Sequence, residues 1–115
     1  MAQVTTEQII APQQIAATAT QYYEVPAGAK TIVRRITFTN THVTDVMQVT
    51  VYYVPSAGSA NDATTLLKTY NIGPTQTRAP AELEQHTLIA GDTIWLEAST
   101  ASEVTVVATG TKVVE

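Results

Sequence analysis

Strict alternation of apolar and polar residues in short segments is the feature that most constrains this chain. The clearest example is the segment 46–54, where one set of alternate residues is apolar: Met47, Val49, Val51 and Tyr53. Successive side chains of a β-strand point to opposite faces, so this set is expected to face a core. Similar segments recur along the chain between clusters of Pro, Gly, Asn and Asp, whereas no segment shows a helical period. This pattern predicts an antiparallel β protein.

Two further strands are predicted near the C-terminus. The segment 93–98 places Ile94, Leu96 and Ala98 inward and sends Trp95 outward if its alternation is unbroken. In the other segment, Val104, Val106 and Ala108 are expected inward, and Val107 falls on the outer side. An apolar residue on an outer face is a candidate contact for a partner or a neighbouring strand.

The strand expected at 31–40 needs an irregularity. Unbroken alternation would place Ile32, Ile36 and Phe38 on the face that also carries Arg34. A β-bulge at Val33 to Arg35 removes this conflict. Weaker candidates are the segments 21–24, 66–72 and 81–88, which bring the prediction to about seven strands. Gly28 and Gly91 lie in two similar Ala-Gly turns, where tight turns require positive φ.

The length of 115 residues suits one domain. We expect an all-β, antiparallel two-sheet sandwich, immunoglobulin-like or jelly-roll, over residues 19–115. Residues 1–18 are expected to be an N-terminal arm, extended on a neighbouring subunit or disordered, because Glu7 is their only charge and Pro12 interrupts them. Ile9, Ile10 and Ile15 supply the apolar contacts of such an arm. Deletion of residues 2–14 should then leave the melting of the isolated domain nearly unchanged while weakening assembly.

The charge balance disfavours nucleic acid and membrane partners. Six Lys or Arg against ten Asp or Glu give a formal net charge of -4, whereas phosphate binding needs clustered basic residues. No run approaches the roughly 20 apolar residues of a membrane span, and the first residues lack the pattern of a signal peptide. We therefore expect a protein made in a cytoplasm and kept there or released by lysis.

No constellation of residues predicts an enzyme, a metal site or a cofactor. His42 and His86 belong to no zinc-binding motif, and the chain has no Cys. Glu82 and Glu84 would share one face of a strand, as the acid pair of a glycosidase could, but an exposed acidic strand is the simpler interpretation. No Ser lies in a nucleophile motif.

Binding is better supported than catalysis. Trp and Tyr are common anchors of protein contacts, so an outward Trp95 and Tyr52 are candidates. The alternatives are a Trp95 turned into the core by a bulge and ordinary half-buried strand tyrosines. The predicted interface residues are Ile9, Ile10, Ile15, Tyr52, Trp95 and Val107.

Several strings of residues resemble small virion proteins of tailed bacteriophages. They are Val25-Pro26-Ala27-Gly28, Thr37-Phe38-Thr39-Asn40-Thr41, Val51-Tyr52-Tyr53-Val54-Pro55-Ser56, Ala90-Gly91-Asp92-Thr93-Ile94, and Ala98-Ser99 before Val104-Thr105-Val106. The resemblance covers residues 20–110 and implies a sandwich present in many copies on a phage particle, as a capsid decoration (cement) protein or a neck or tail accessory. It implies a homo-oligomer, a trimer or ring, attached to a capsid or tail protein. The alternative is a carbohydrate-binding sandwich with Trp95 and Tyr52 as stacking residues.

Overall fold

The computed structural model describes residues 3–114, which form nine strands and two 3₁₀ turns. The turns are Asp62–Thr64 and Ala81–Leu83. None of the described residues belongs to a helix long and apolar enough to cross a membrane. The strands are β1 (Gln3–Gln14), β2 (Thr20–Glu24), β3 (Ala29–Asn40), β4 (Met47–Val54), β5 (Thr65–Ile72), β6 (Thr77–Arg78), β7 (Thr87–Ile89), β8 (Thr93–Ala98) and β9 (Val104–Val114).

The strands form two antiparallel sheets that pack face to face, which confirms the predicted sandwich. The first sheet has the order β1-β9-β3-β6, with β7 also paired to β3, and the second has the order β2-β8-β4-β5. From β1 to β4, successive strands alternate between the sheets. An immunoglobulin-like fold keeps its first two strands in one sheet, whereas a jelly roll crosses between sheets in this way. The strand order therefore selects the jelly roll.

The core lies between the sheets, and its centre contains residues that alternation predicts. Val49, Val51, Leu96, Val104 and Val106 are each 0% exposed. Each of these side chains comes from a central strand, β4, β8 or β9, with a neighbour on both sides. The period-two prediction is confirmed for these three strands, because their inner faces are sealed by the opposite sheet.

Strand β3 contains the predicted bulge but distributes its residues differently. The register with β9 shifts between Val33 and Arg35, and both Val33 and Ile36 are fully buried. The extra residue reverses the alternation, so odd-numbered residues face inward before the bulge and even-numbered residues after it. The expectation that Ile32 shares the inner face of Ile36 is therefore wrong: Ile32 lies on the outer face and is half-buried.

Residues 3–14 form a strand on the edge of the first sheet. Strand β1 pairs with β9 from Gln3 opposite Val114 to Gln14 opposite Thr105. Ile9 and Ile10 are buried, as is Ile15 just beyond the strand, while most other residues of β1 are exposed. The segment is thus extended and completes the core of its own chain. A contact between this segment and a second copy stays a prediction.

The segment 81–88 is not the single strand expected from the sequence. Pro80 precedes a 3₁₀ turn whose last residue, Leu83, is fully buried. Gln85 has a φ of 67°, which breaks an extended path. Only Thr87–Ile89 pairs as a strand, with Lys30 to Ile32 of β3. The count rises from about seven to nine because β1 and β6 also pair.

The two similar Ala-Gly turns lie side by side at one end of the sandwich. Gly28 and Gly91 have φ values of 77° and 89°, as predicted. The backbone N–H of Val25 donates to the carbonyl of Asp92 at 2.9 Å, and the N–H of Gly91 donates to the carbonyl of Val25 at 3.0 Å. These bonds connect the turn between β2 and β3 to the turn between β7 and β8, each of which crosses from one sheet to the other.

Candidate functional site

Both histidines are occupied by local hydrogen bonds. The His42 Nδ1 accepts from the backbone N–H of Thr44 at 3.2 Å and of Asp45 at 3.0 Å. The His86 Nε2 donates to the carbonyl of Glu82 at 2.8 Å, and its ring meets that of Tyr53 edge-on. Within residues 3–114, no three His, Cys, Asp or Glu residues come together as metal ligands would. These imidazoles stabilise loop conformations.

The two glutamates considered as an acid pair do not lie on a strand. Glu82 belongs to the 3₁₀ turn Ala81–Leu83, and Glu84 follows it. An Oε2 of Glu84 lies 3.6 Å from the Nε of Arg35. Because one carboxylate is paired across to β3 and the other lies on a turn, they do not form a facing acid pair.

Tyr52 and Trp95 are brought together on the outer face of the second sheet. They are direct cross-strand partners in the pairing of β4 with β8, and both are half-buried. Trp95 faces outward, because its neighbours Ile94 and Leu96 fill the core. Its Nε1 donates to the Thr93 hydroxyl at 2.9 Å. We call Tyr52 and Trp95 the aromatic pair.

The Tyr52 hydroxyl is fixed by a carboxylate on the same face. It donates to the Oε1 of Glu97 at 2.9 Å. Partial burial raises the pKa of Tyr52, and the hydrogen bond to Glu97 and the charge of that carboxylate raise the pKa further. The phenol is therefore neutral at physiological pH and acts as a donor toward Glu97.

A groove of about 320 Å³ adjoins the aromatic pair on this outer face. Its side chains are mostly hydroxyls, amides and charged groups. Thr50 is 8% exposed, and its hydroxyl accepts from the backbone N–H of Thr69 at 3.1 Å. The lining residues that carry polar side chains are Gln48, Thr50, Tyr52, Asp62, Thr65, Lys68, Thr69, Glu97 and Ser99. We call this the hydroxyl groove.

A bulge in β5 shapes one wall of the groove. Val49 pairs with Tyr70 and Val51 with Leu67, so two residues of β5, Lys68 and Thr69, lie opposite Thr50. Thr69 has a φ of 47°, in the left-handed region that β-branched residues rarely adopt. The bond from its N–H to the Thr50 hydroxyl compensates part of this strain.

The outer face of the first sheet carries a row of three apolar residues and one lysine across four strands. Val113 of β9 pairs with Val4 of β1 on one side and with Lys30 of β3 on the other. Lys30 in turn pairs with Ile89 of β7. Val4 is 67% exposed and Ile89 is 60% exposed. Ile32 lies one pleat away on the same face. We call Val4, Val113, Lys30 and Ile89 the outer row.

The free side of β1 borders the outer row. From Gln3 to Gln8 the strand pairs with β9 without a register shift. This stretch contains no Pro, and its only charge, Glu7, lies 3.2 Å from the Nζ of Lys112. Alternate backbone groups of an edge strand point away from its sheet. Here they pair with no other strand of the described residues.

The six predicted interface residues fall into three places. Ile9, Ile10 and Ile15 lie in the core, and Tyr52 and Trp95 form the aromatic pair on the second sheet. Val107 is half-buried on the outer face of the first sheet, opposite Thr37. Sequence reasoning missed Val4 and Ile89. Val4 and Ile89 lie in one row only because strands distant in sequence pair with one another. The alternation of residues within one segment does not predict such pairing.

Comparison by sequence finds no matching family model and no significant match among curated proteins. The fold is similar to that of a Bacillus endospore appendage protein, described as a novel family of disulfide-linked pili. The TM-score is 0.59 and the identity 12%, over 99% of this chain and 90% of the other.

Two chains of infectious bursal disease virus are also similar over 98% of this chain. A Gx-strain chain has a TM-score of 0.42 and 11% identity over 31% of its own length. A VP2 subviral-particle chain has a TM-score of 0.41 and 13% identity over 32% of its own length. This chain thus spans about a third of the length of those viral proteins. At 12% identity, the likeness to the endospore appendage protein is one of fold alone.

Proposed function

We propose that this chain is a non-enzymatic structural subunit of a phage virion, a capsid decoration (cement) protein or a neck or tail accessory. Copies associate through the outer row and the free side of β1, and the resulting oligomer attaches to a capsid or tail protein. It is assembled in the host cytoplasm and remains with the particle. The observation that carries this proposal is the outer row, in which Val4 and Ile89 are exposed, together with the unblocked edge strand β1 that contains Val4.

Soluble proteins usually protect a sheet edge. They do so with unpaired charges, Pro, bulges or short strands. The stretch Gln3–Gln8 has none of these except Glu7, whose charge is balanced by Lys112. The exposed Val4 of this stretch adds a hydrophobic contribution to strand pairing there, and Ile89, on β7 at the other end of the outer row, offers a second exposed apolar residue on the same face. Both features favour contact with another protein.

The similar fold of the endospore appendage protein supports an assembly role by analogy only. That protein is described as forming disulfide-linked pili. This chain contains no Cys, so its copies cannot be joined by disulfides. Cohesion between copies must then come from noncovalent contacts, as pairing along β1 and burial of the outer row would provide.

The two edges of the first sheet differ in length. Strand β1 has 12 residues, of which Gln3–Gln8 contain no Pro and no register shift, whereas the opposite edge consists of β6 with two residues and β7 with three. Pairing between like edges is therefore more extensive than pairing between unlike edges. A two-fold contact between β1 strands is the favoured elementary contact. The trimer or ring that the phage resemblance implies requires a second contact, for which Val107 is the candidate.

A charge introduced into the outer row tests the proposal. Val4→Lys places a charge on the exposed edge strand, and Val43→Lys makes the same change at a loop residue that is 76% exposed. We expect mass photometry and negative-stain imaging to show oligomers for the unaltered protein and for Val43→Lys. Val4→Lys should be largely monomeric, with an unchanged melting temperature because its side chain is exposed.

Two results would contradict the proposal. One is an unaltered protein that is monomeric at micromolar concentration and binds no virion component. The other is equal dissociation by Val43→Lys, which would mean that the contact is not at the outer row. Mass spectrometry of purified particles from cells that express the chain tests the location, and its presence only in the soluble fraction would exclude a virion role.

A further inference from the structure

We propose that the hydroxyl groove, together with the aromatic pair, is a binding site for a neutral saccharide. The site lies on the outer face of the second sheet, so it is independent of the assembly contact on the first sheet. The proposal rests on the size of the groove, on the chemistry of its lining and on the position of Tyr52 beside Trp95.

The dimensions of the groove suit a small ligand. Its volume of about 320 Å³ lies at the lower end of the roughly 300–1,000 Å³ of small-molecule sites. The bulge at Lys68 and Thr69 forms one wall, and Thr50 lies at the floor. The bond between Thr69 and Thr50 holds the wall in one conformation, so the groove is formed before any ligand arrives.

The lining favours a polyhydroxylated ligand. Gln48, Glu97 and Ser99 provide an amide, a carboxylate and a hydroxyl, which together donate to and accept from hydroxyl groups. Strand β4 lies between β8 and β5, and the unpaired backbone groups of the edge strand β5 point away from β4 in the plane of the sheet, so the face that carries the groove offers no free edge to a peptide. Recognition must then come from side chains, which suits a sugar better than an extended polypeptide.

The charges of the groove favour a neutral sugar over an acidic one. Among the described lining residues, Lys68 is the only basic one, and its Nζ lies 3.6 Å from the Oδ1 of Asp62. Glu97 already accepts the hydrogen bond of Tyr52. An anionic sugar would therefore face two carboxylates and a cation that is already paired.

The aromatic pair extends the groove toward β2. Tyr52 lines the groove, and Trp95 is its direct cross-strand partner. Aromatic rings present an apolar face next to a polar tip, which matches a sugar ring with its apolar face and hydroxyl rim. A saccharide chain that occupies the groove and continues over Tyr52 would reach Trp95.

Trp95 also reports on the site, because it is the only Trp of the chain. We suggest titrating the 115-residue chain with short cello-, xylo-, manno- and chito-oligosaccharides, up to about 10 mM each, and recording Trp fluorescence and melting temperature. At least one of these probes should shift the emission in a saturable manner. Tyr52→Ala should weaken its association about tenfold or more, and Glu97→Gln should weaken it by a smaller factor.

Two control variants test whether the binding is located in the hydroxyl groove. Glu82→Gln makes the same change as Glu97→Gln at an exposed residue of the turn Ala81–Leu83, outside the groove lining and on no strand of the second sheet, and should bind like the unaltered protein. Val4→Lys should also bind normally, because it alters only the first sheet. The absence of a response to every probe would overturn the proposal. So would undiminished binding by both Tyr52→Ala and Glu97→Gln, or loss of oligomers in Tyr52→Ala, which would identify the face as a protein contact.

Discussion

The outer faces of the two sheets are built from different residues although they cover the same core. The first sheet presents the outer row, with Val4 and Ile89 more than half exposed, beside a long edge strand. The second sheet presents a groove whose polar side chains bond to one another, as Tyr52 does to Glu97. The first sheet thus exposes apolar surface that a partner could bury, and the second sheet exposes oriented hydrogen-bond donors and acceptors.

The composition of each outer face determines which contacts it can make. Burying Val4 and Ile89 against an identical surface requires no precise geometry, because the hydrophobic effect is nondirectional. The second face gains little from such burial, since its hydroxyls and carboxylates would each need a new partner. Shape and hydrogen bonding thus favour a small polar ligand there, while the first face favours a second copy.

The largest expected effect comes from a substitution in the core, which would unfold the domain and so abolish the contacts of both outer faces. Val51 is fully buried at the centre of β4, so Val51→Asp places an unpaired charge in the core at a cost of several kcal/mol. We expect the variant to be insoluble or unfolded, and circular dichroism would show the loss of β structure. Tyr52→Ala, one residue along but on the outer face, should remain folded. A soluble, folded Val51→Asp would contradict the packing described here.

Ile10→Ala should loosen the attachment of β1, the edge strand that carries the assembly contact of the first sheet. The Ile10 side chain is 1% exposed, and its truncation is expected to lower the free energy of unfolding by about 2–5 kcal/mol. Because Ile9 and Ile10 fill the core, we now expect removal of β1 to destabilise the domain, contrary to the prediction from the sequence. Urea denaturation measures the change. Oligomers should weaken as β1 loosens, while oligosaccharide binding by the folded fraction should stay the same; equal stability to the unaltered chain would argue against β1 as part of the core.

Thr50→Val should affect the second sheet alone. The substitution keeps the shape of the side chain but removes the hydroxyl that accepts from Thr69. The loss of one partly buried hydrogen bond should cost about 1 kcal/mol. Hydrogen exchange would detect faster exchange of the Thr69 amide, with oligomers unchanged. An unaltered exchange rate there would show that this bond does not hold the wall of the groove.

The core and the bulge of β3 were predictable, since both follow from alternation within one segment. Leu96 and Val106 are buried as their patterns require, and the conflict at Arg34 identified the shift between Val33 and Arg35. The direction of the shift was not predictable for Ile32. The sequence places the bulge only within a few residues, and one position either way exchanges the inner and outer sets.

The two candidate sites depended on information that a single segment does not contain. The pairing of Tyr52 with Trp95 joins residues of strands that are far apart in sequence, and the outer row joins four strands. Sequence reasoning identified Tyr52 and Trp95 as outward aromatics but could not determine that they are neighbours. Their residue types indicated a surface role, but only the register of β4 with β8 shows that Tyr52 and Trp95 are neighbours.

The smallest expected effect compares two adjacent tyrosines on opposite faces of β4. Burial strongly raises the pKa of the inner Tyr53, whose hydroxyl donates to the carbonyl of Leu83, and it also raises the pKa of the outer Tyr52. Above the ordinary pKa of about 10, the unfolded chain releases these protons while the folded chain keeps them. The stabilisation is therefore complete below that pH and is lost as the pH rises through the folded pKa.

Urea unfolding of Tyr52→Phe and Tyr53→Phe, from neutral pH to about pH 11, tests this difference. Each variant lacks one ionisable phenol, so its free energy of unfolding should fall less steeply above about pH 10 than that of the unaltered protein. Comparison with the unaltered protein at each pH cancels the ionisation of the lysines. The change should be larger for Tyr53→Phe, because the inner phenol is more fully removed from water. A larger change for Tyr52→Phe would mean that the outer face excludes water better than the core edge does, which an open groove for a sugar does not permit.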